Sequence, residues 1–336
     1  MSVADSLPQR FSDAMGALLG PDFPAELGVA VSGGGDSMAM LHLAAGWARV
    51  YGVAMRVVTI DHGLRPESAA EADLVATEAW GLGLPHTVLN WQPDEITGNL
   101  QDAARRARHR LIGDWRGNTA HVLMAHTQDD QAETFLMRLA RGSGVDGLAA
   151  MAGLVRINGP QMADGWAVVR PLLSVTRAEL RHYAAVLHIP FVNDPSNVNP
   201  RFDRVRMRAL LPALAGVGLT AERLTSTAQA QRRASIALAA RASDVALRLT
   251  RTVGGGVVFD RDAFARIEAE TQLRLLAAAL QWVSSAIYRP RLASLEGALD
   301  RLLSGGAATL HGAVMQPRGA DLWIFREFAA VAGVEI

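Results

Sequence analysis

Six residues near the start of the chain, Ser32-Gly33-Gly34-Gly35-Asp36-Ser37, leave it few folds to choose from. They sit between an apolar run over residues 27–31 and a stretch over 37–50 in which Met38, Leu41, Ala45 and Ala48 share one helical face. Three glycines allow positive φ and a close approach of backbone to a ligand. The following amides then converge on one concavity at a helix N-terminus, where an anion is favoured. The alternation continues beyond this strand–turn–helix unit. Strands are predicted over 56–60, 87–90, 121–125 and 167–169, with helices over 68–81, 99–115, 129–140 and 176–187. The last helix opens with a capping box, Thr176 with Glu179. Such alternation predicts an α/β fold, a doubly wound parallel sheet, over residues 1–212. From about residue 211 the pattern changes to a long Ala- and Arg-rich helical stretch over 220–250, a glycine break at 254–256 and a strand over 257–260. Helices over 261–287 and 291–303 and a hairpin of 308–314 with 321–326 complete a helical linker and a smaller α+β domain, 213–336.

A glycine-rich turn that merely caps a helix is the bland reading, and glycines alone would favour it. All six residues in strand–turn–helix context favour a phosphate site. The turn lacks the Gly-Lys-Ser/Thr of a Walker A loop and the glycine spacing of the dinucleotide fingerprint. Asp36 beside a bound phosphate would repel it unless a divalent cation lay between them, so the turn asks for a polyphosphate with Mg²⁺. Asp61 and His62 follow the second strand, and His126 follows the fourth, both at the carboxyl edge where such sheets bind ligands. Asp129, Asp130 and Glu133 open the next helix at three- and four-residue spacings, where like charges cost a few tenths of a kcal/mol (roughly 0.2–0.5) per pair. Acids complementing a helix N-terminus account for one or two of them. Convergence with Asp36 favours a metal–nucleotide site, with Asp36 and Asp130 as the candidate Mg²⁺ ligands.

The 33 basic residues, all Arg, balance 33 acidic ones, which excludes a strongly cationic nucleic-acid coat but not a local basic patch. Residues 1–210 carry 19 Arg against 22 acids, and 211–336 carry 14 against 11, so an anionic partner suits the second half better. There is no cysteine, hence no thiolate nucleophile, persulfide carrier or iron–sulfur cluster. The first residues lack an apolar signal core and no apolar stretch is long enough for a bilayer, so no membrane partner and a cytoplasmic location are expected.

The turn resembles the SGGxDS signature of the N-type ATP pyrophosphatases, the PP-loop superfamily, which implies ATP and a pyrophosphate leaving group. Within that superfamily, Asp61-His62-Gly63-Leu64-Arg65 and the segment from His126 to Thr134 resemble motifs of the tRNA(Ile)-lysidine synthetases. So do the Arg-rich helix over 101–111, Arg170-Pro171-Leu172-Leu173, and residues 193–212. Departures are His109 where Tyr is common, Gln128 at a variable position, and Val205 where Asn usually follows the Arg. The absent cysteine separates the chain from the related tRNA thiolases and from self-sufficient amidotransferase synthetases.

The resemblance implies a ligase forming a carbon–nitrogen bond. ATP would adenylate cytidine 34 in the CAU anticodon of tRNA(Ile), and free L-lysine would displace AMP. It implies ATP binding by Ser32, Gly33, Gly34, Gly35, Asp36, Ser37, Asp61 and His62, and catalytic roles for Asp36, His126, Asp130, Arg105 and Arg206. Arg108, Arg204 and Arg208 are candidate tRNA contacts. In the second half Arg232, Arg233, Arg289, Arg291, Arg318 and Arg326 are further candidates. Two other readings stay open: an ATP-dependent synthetase amidating a small metabolite with ammonia from a partner, and a non-enzymatic nucleotide-binding module. A homodimer is also open.

Overall fold

The computed structural model describes residues 6–61, 63, 68–91, 100–157, 165–193, 203–286 and 288–327, and for residues 100–102 and 105 the backbone alone. In chain order the elements begin α1 (Leu7–Leu19), β1 (Glu26–Ala30), α2 (Gly35–Tyr51), β2 (Ala54–Asp61), α3 (Ser68–Gly81), β3 (His86–Asn90) and α4 (Leu100–Trp115). They continue with β4 (His121–Met124), α5 (Gln128–Leu139), α6 (Val145–Leu148), β5 (Leu154–Ile157), β6 (Trp166–Val169), α7 (Arg177–Val186), α8 (Asp203–Gly216) and α9 (Ala221–Leu249). The last are β7 (Thr250–Val253), β8 (Gly256–Asp260), α10 (Arg261–Ala265), α11 (Ala269–Ser284), α12 (Leu292–Leu303), β9 (Ala308–Leu310), β10 (Ala313–Arg318) and β11 (Asp321–Arg326).

Two compact units emerge. The first is Met1–Ala140 with Ala150–Ala228; the second is Gln229–Ile336 together with the short segment Arg141–Ala149. The residue 212 at which the composition changes lies inside α8.

The first unit is built on a six-stranded sheet of order β3-β2-β1-β4-β6-β5. Every pairing is parallel except the edge pair β5–β6, which is antiparallel with Leu154 opposite Val169. Period-2 alternation splits each strand between two cores. Leu27, Val29, Val57, Leu123 and Val169 join Phe11, Met15, Leu41, Val75 and Leu180 from α1, α2, α3 and α7. Val58, Val122, Met124, Trp166 and Val168 face Ile112 of α4. Burial on both faces explains why these strands read as continuous apolar runs. The order reverses direction between β1 and β4, and the crevice outside their carboxyl ends is where an open α/β sheet offers a ligand site.

The second unit carries a five-stranded antiparallel sheet, β7-β8-β11-β10-β9, whose Val257, Phe259, Met315, Leu322 and Ile324 pack on Leu276 and Leu280 of α11 and on Leu295 and Leu299 of α12. The predicted strand over 308–314 is two strands. Leu310 pairs with Ala313 across His311 and Gly312, whose φ of 60° and 74° make a tight two-residue reversal. A second two-residue tip, Gly319 and Ala320, joins β10 to β11, with Arg318 opposite Asp321. The predicted helix over 261–287 is broken: Asp260 caps α10 through Ala263 N–H, and α11 starts afresh after Glu268. The long helix ends at Leu249, one residue before the predicted limit, where β7 begins.

Candidate active site

The phosphate turn lies at the carboxyl end of β1. Gly33 adopts φ +81°, a conformation that costs an L-residue with a Cβ, and such a Cβ would lie 3.3 Å from the Glu71 carbonyl oxygen. A Cβ on Gly35 would meet the Phe191 ring at 3.3 Å. The turn is held by its own hydroxyl: Ser37 Oγ donates to the Gly34 carbonyl at 2.8 Å and accepts from the Ser32 N–H at 3.1 Å. The Ser32 and Ser37 oxygens are 3.2 Å apart. From outside, Val192 N–H donates to the Gly33 carbonyl at 2.9 Å. Gly34 caps α2 without a side chain, and the Ser37 N–H turns back to the Gly34 carbonyl at 3.0 Å, which leaves the amides of Gly35 and Asp36 as the first-turn donors for an anion at this helix N-terminus.

Across the crevice, α5 starts after β4. Thr127 and Asp130 form a capping box: Thr127 N–H and Oγ1 both donate to Asp130 Oδ2, at 2.9 and 3.0 Å. That fixes Asp130 and leaves Oδ1 pointing to Arg177, whose Nη2 donates to it at 2.8 Å. Arg177, the first residue of α7, also reaches Asp36 Oδ2 with Nε at 3.0 Å and Glu133 Oε1 with Nη1 at 3.3 Å. Its backbone N–H donates to Asp129 Oδ2 at 2.7 Å. Glu133 has no solvent exposure and also accepts from Arg208 Nε at 2.8 Å, while its Oε2 is buried with no partner.

Four carboxylates are thus gathered with two guanidiniums bonded to them, and the surplus of negative charge shows in the ionisation. Burial pushes the Asp36 carboxyl above its ordinary value, against the pull of Arg177, with Asp130 and Asp129 adding to the rise. Burial alone would do the same to Asp130, but Arg177, the Thr127 N–H and the neighbouring His126 and Arg204 outweigh it and hold that carboxyl below its ordinary value. Burial would lower Arg177, yet Asp130, Glu133 and Asp36 raise it. Asp36 rises although it is paired, because burial outweighs its share of Arg177, whose one charge is divided among three acids.

His126, the residue before the helix cap, is pushed down to about 3 by burial and then by Arg170, so its ring is neutral at pH 7. Arg170, itself 4% exposed, donates Nε to His126 Nδ1 at 3.2 Å and Nη1 to the Ala152 carbonyl at 2.9 Å. With Nδ1 accepting, the neutral ring carries its proton on Nε2 as a hydrogen-bond donor.

The structure therefore brings Ser32 to Ser37, His126 and Asp130 to one sheet edge. Asp61 is at the end of β2, its Oδ1 accepting from the Gly63 N–H at 2.8 Å. His62 and the Arg105 side chain lie outside the described residues. Arg206 pairs with Asp203 on the exposed side of α8, away from the acid cluster, whereas Arg208 of the same helix enters it. Arg108 on α4 and Arg204 on α8 are both half-buried, and both lie near enough to His126 to contribute to its depressed value. In the second unit Arg289, with Arg274 and Ser235, binds Asp146 of the inserted segment, and Arg232 donates to the Ala149 carbonyl. Arg318 lies over the rings of Phe325 and Trp323, 5.0 and 5.8 Å from their centroids.

Arg177 escaped sequence reasoning, and Arg170 was singled out only as part of the Arg170-Pro171-Leu172-Leu173 motif, without its place on His126. The one signal for Arg177 was an acidic cluster with no stated counter-charge.

The hard oxygen donors suit Mg²⁺, and the orphaned Glu133 Oε2 marks unspent acceptor capacity in the buried cluster. Among the described residues no group of three or more acids or histidines is arranged to hold an ion unaided, so Mg²⁺ here would complete its shell with phosphate oxygens when nucleotide is bound and with water when it is not.

A model of the PP-loop domain family matches residues 7–214. Over 310 residues the chain is 44% identical to the tRNA(Ile)-lysidine synthase of Ruegeria pomeroyi, covering 92% of this chain and 73% of that protein. The tRNA(Ile)-lysidine synthase of Methylobacterium nodulans is 42% identical over 97% of each chain, and that of Rhodopseudomonas palustris 45% identical over 88% of this chain and 89% of its own. The fold is similar to that of the U34-tRNA thiolase of Methanococcus maripaludis, solved with its 4Fe–4S cluster, with a TM-score of 0.54 at 15% identity over 67% of this chain and 78% of that one. With the PP-loop domain matched over residues 7–214, no cysteine anywhere, and relatives at 42–45% identity matched over 73–97% of their own length, the chain belongs to the tRNA(Ile)-lysidine synthase family of PP-loop proteins.

Proposed function

We propose that this chain ligates free L-lysine to C2 of cytidine 34 in the CAU anticodon of tRNA(Ile). In the first step O2 of the cytosine attacks the α-phosphorus of ATP and pyrophosphate leaves. In the second the ε-amine of lysine attacks C2, AMP leaves with the O2 oxygen, and the amine loses its proton. The observation that carries this reading is the meeting of the phosphate turn, a neutral His126 donor and the acid cluster at one sheet edge, in a cysteine-free member of this family.

The turn from Ser32 to Ser37 holds the departing pyrophosphate through amides and hydroxyls. Nε2–H of His126 donates to the α-phosphate as charge develops there, with Arg105 as a further cationic candidate, whereas Arg206 would have to leave Asp203 to join it. Asp61 and His62 flank the adenine nucleotide. Mg²⁺, held by Asp36 and Asp130 together with phosphate oxygens, would supply charge neutralisation at the triphosphate. Arg108 and Arg204 face the tRNA, whereas Arg208, expected there too, is held on Glu133; residues 213–336 grip the tRNA beyond the anticodon. An unpaired loop base such as C34 is presented without opening a duplex. The reaction places the enzyme where tRNA and lysine are, in the cytoplasm; among the described residues no helix is long and apolar enough to cross a membrane.

Labelled lysine mixed with the protein, ATP, Mg²⁺ and tRNA(Ile) bearing CAU tests the reading. Label should enter RNA only when C34 is present. Incorporation into a C34 variant, or none into the authentic tRNA, overturns it.

A further inference from the structure

We propose that Arg177 is a positioning residue that serves as the site's resident counter-cation: it gathers Asp36, Asp130 and Glu133 in the metal-free protein and yields the Asp36 and Asp130 oxygens when Mg²⁺ enters. The proposal rests on the reading of this edge as a Mg²⁺–ATP site.

Arg177 occupies an unfavourable position for a cation. It is the first residue of α7, immediately after the Thr176 cap, where the helix dipole disfavours a cation. What holds it there is the acid cluster, and its side chain is only 16% exposed.

The guanidinium divides its donors in an unusual way. Arginine matches one carboxylate best through two parallel bonds. Here Nε, Nη1 and Nη2 go to three different carboxylates, at 3.0, 3.3 and 2.8 Å. One cation shared by three acids on two helices is the task of a bound metal ion, performed by a side chain.

If the guanidinium moves, two oxygens are left free. Glu133 keeps Arg208, at 2.8 Å, and Asp130 Oδ2 keeps its two bonds from Thr127. The atoms that lose a partner are Asp36 Oδ2 and Asp130 Oδ1, on the two carboxylates assigned to the metal. Arg177 and Mg²⁺ therefore compete for the same two atoms, and the competition weakens the apparent metal affinity by the fraction of time those oxygens are free. Among the described residues a site without its counter-cation would have Arg208 as the one guanidinium bonded to its four clustered carboxylates, with Arg204 acting only from a distance. That explains why the chain keeps an arginine in the way of its own cofactor.

Calorimetric titration of the full chain with Mg²⁺ alone, for wild type, Arg177→Gln and Arg177→Lys, tests the idea, with thermal melting in the absence and presence of the metal. If Arg177 leaves the two oxygens free about a tenth of the time, Arg177→Gln binds Mg²⁺ about tenfold more tightly. It should melt below wild type without metal and recover most of the difference with it. Arg177→Lys, with its charge but not its fork, should fall between the two and carries the test if the glutamine variant does not fold. Wild-type or weaker Mg²⁺ binding in both variants, or no binding in any of the three, overturns the proposal. No tRNA or lysine is present, so this failure and a failure of the lysine-labelling assay are separate results.

Discussion

Asp130→Asn isolates what the charge on one buried carboxylate does, because shape is retained and only the pairing changes. Oδ2 of Asp130 accepts from Thr127 N–H and Oγ1, and Oδ1 accepts from Arg177. An asparagine has one acceptor oxygen. Turned toward Thr127, its amide N–H₂ faces the guanidinium; turned the other way, it faces the Thr127 N–H. Either way a donor opposes a donor in a site where Asp130 is 8% exposed. Loss of a hydrogen bond to a charged group costs about 1.5–3 kcal/mol, and because Arg177 keeps Asp36 and Glu133 we take about 2. For a unit of 150–250 residues that corresponds to a fall of about 4–8 °C in melting temperature. Thr127→Ala is the control: it removes the cap hydroxyl, at about 1 kcal/mol, and leaves the carboxylate on Arg177. Scanning calorimetry should give a larger shift for Asp130→Asn than for Thr127→Ala, and pyrophosphate release should be lost only in the former. Equal shifts, or an asparagine variant melting within about 1 °C of wild type, would refute the claim that the Arg177 contact carries the difference.

Asp36→Asn should reduce pyrophosphate release on the order of a hundredfold while leaving tRNA retention on a filter intact. Its melting temperature should fall less than that of Asp130→Asn, since burial already drives Asp36 toward its neutral form. Gly33→Ala places a Cβ at φ +81° against the Glu71 carbonyl, so the denaturation midpoint should report a loss of about 1–2 kcal/mol and ATP-analogue binding should weaken with it. His126 sets an acid limit. Its folded value of about 3 lies below the unfolded one of about 6.5, so the unfolded chain binds the extra proton between them. Its contribution is whole above pH 6.5 and declines as pH falls, by up to about 1.4 kcal/mol per unit, whereas Asp130, held low, acts only beneath about pH 4. His126→Asn should flatten the melting-temperature profile between pH 6.5 and 4.5 by about one proton; an unchanged slope contradicts the assignment.

The sheet was legible because strands buried on both faces leave long apolar runs, and because the glycine turn marks the first crossover. Edge strand β5 was not, since Leu154–Ile157 is short, its residues lie no deeper than half-buried, and its partner is met only after a connection outside the described residues. The break between β9 and β10 was missed although Gly312 stands in it, because the first residue of the reversal is His311 at positive φ, and a lone glycine inside an alternating run does not by itself mark a two-residue turn. Within the site, residues on the turn and on α5 were found because each follows a predicted strand at the binding edge. Arg177 was not found, since its partner Asp36 is 141 positions earlier and only the packing of α7 on α2 joins them. A helix-opening arginine looks like ordinary surface until the acids are placed around it.

The nine residues Arg141–Ala149 have a practical consequence for anyone dissecting this enzyme. Cutting the chain after Ala228 would strand Asp146 on the nucleotide-binding fragment, while Ser235, Arg274 and Arg289, which bind it, stayed with the other. The buried Arg274 and the exposed Arg289 would both lose this anion, and the segment would hang from the end of α5 without the residues that bind it. The halves are laced rather than strung in series, so modules exchanged between relatives must carry this loop along with the residues that receive it.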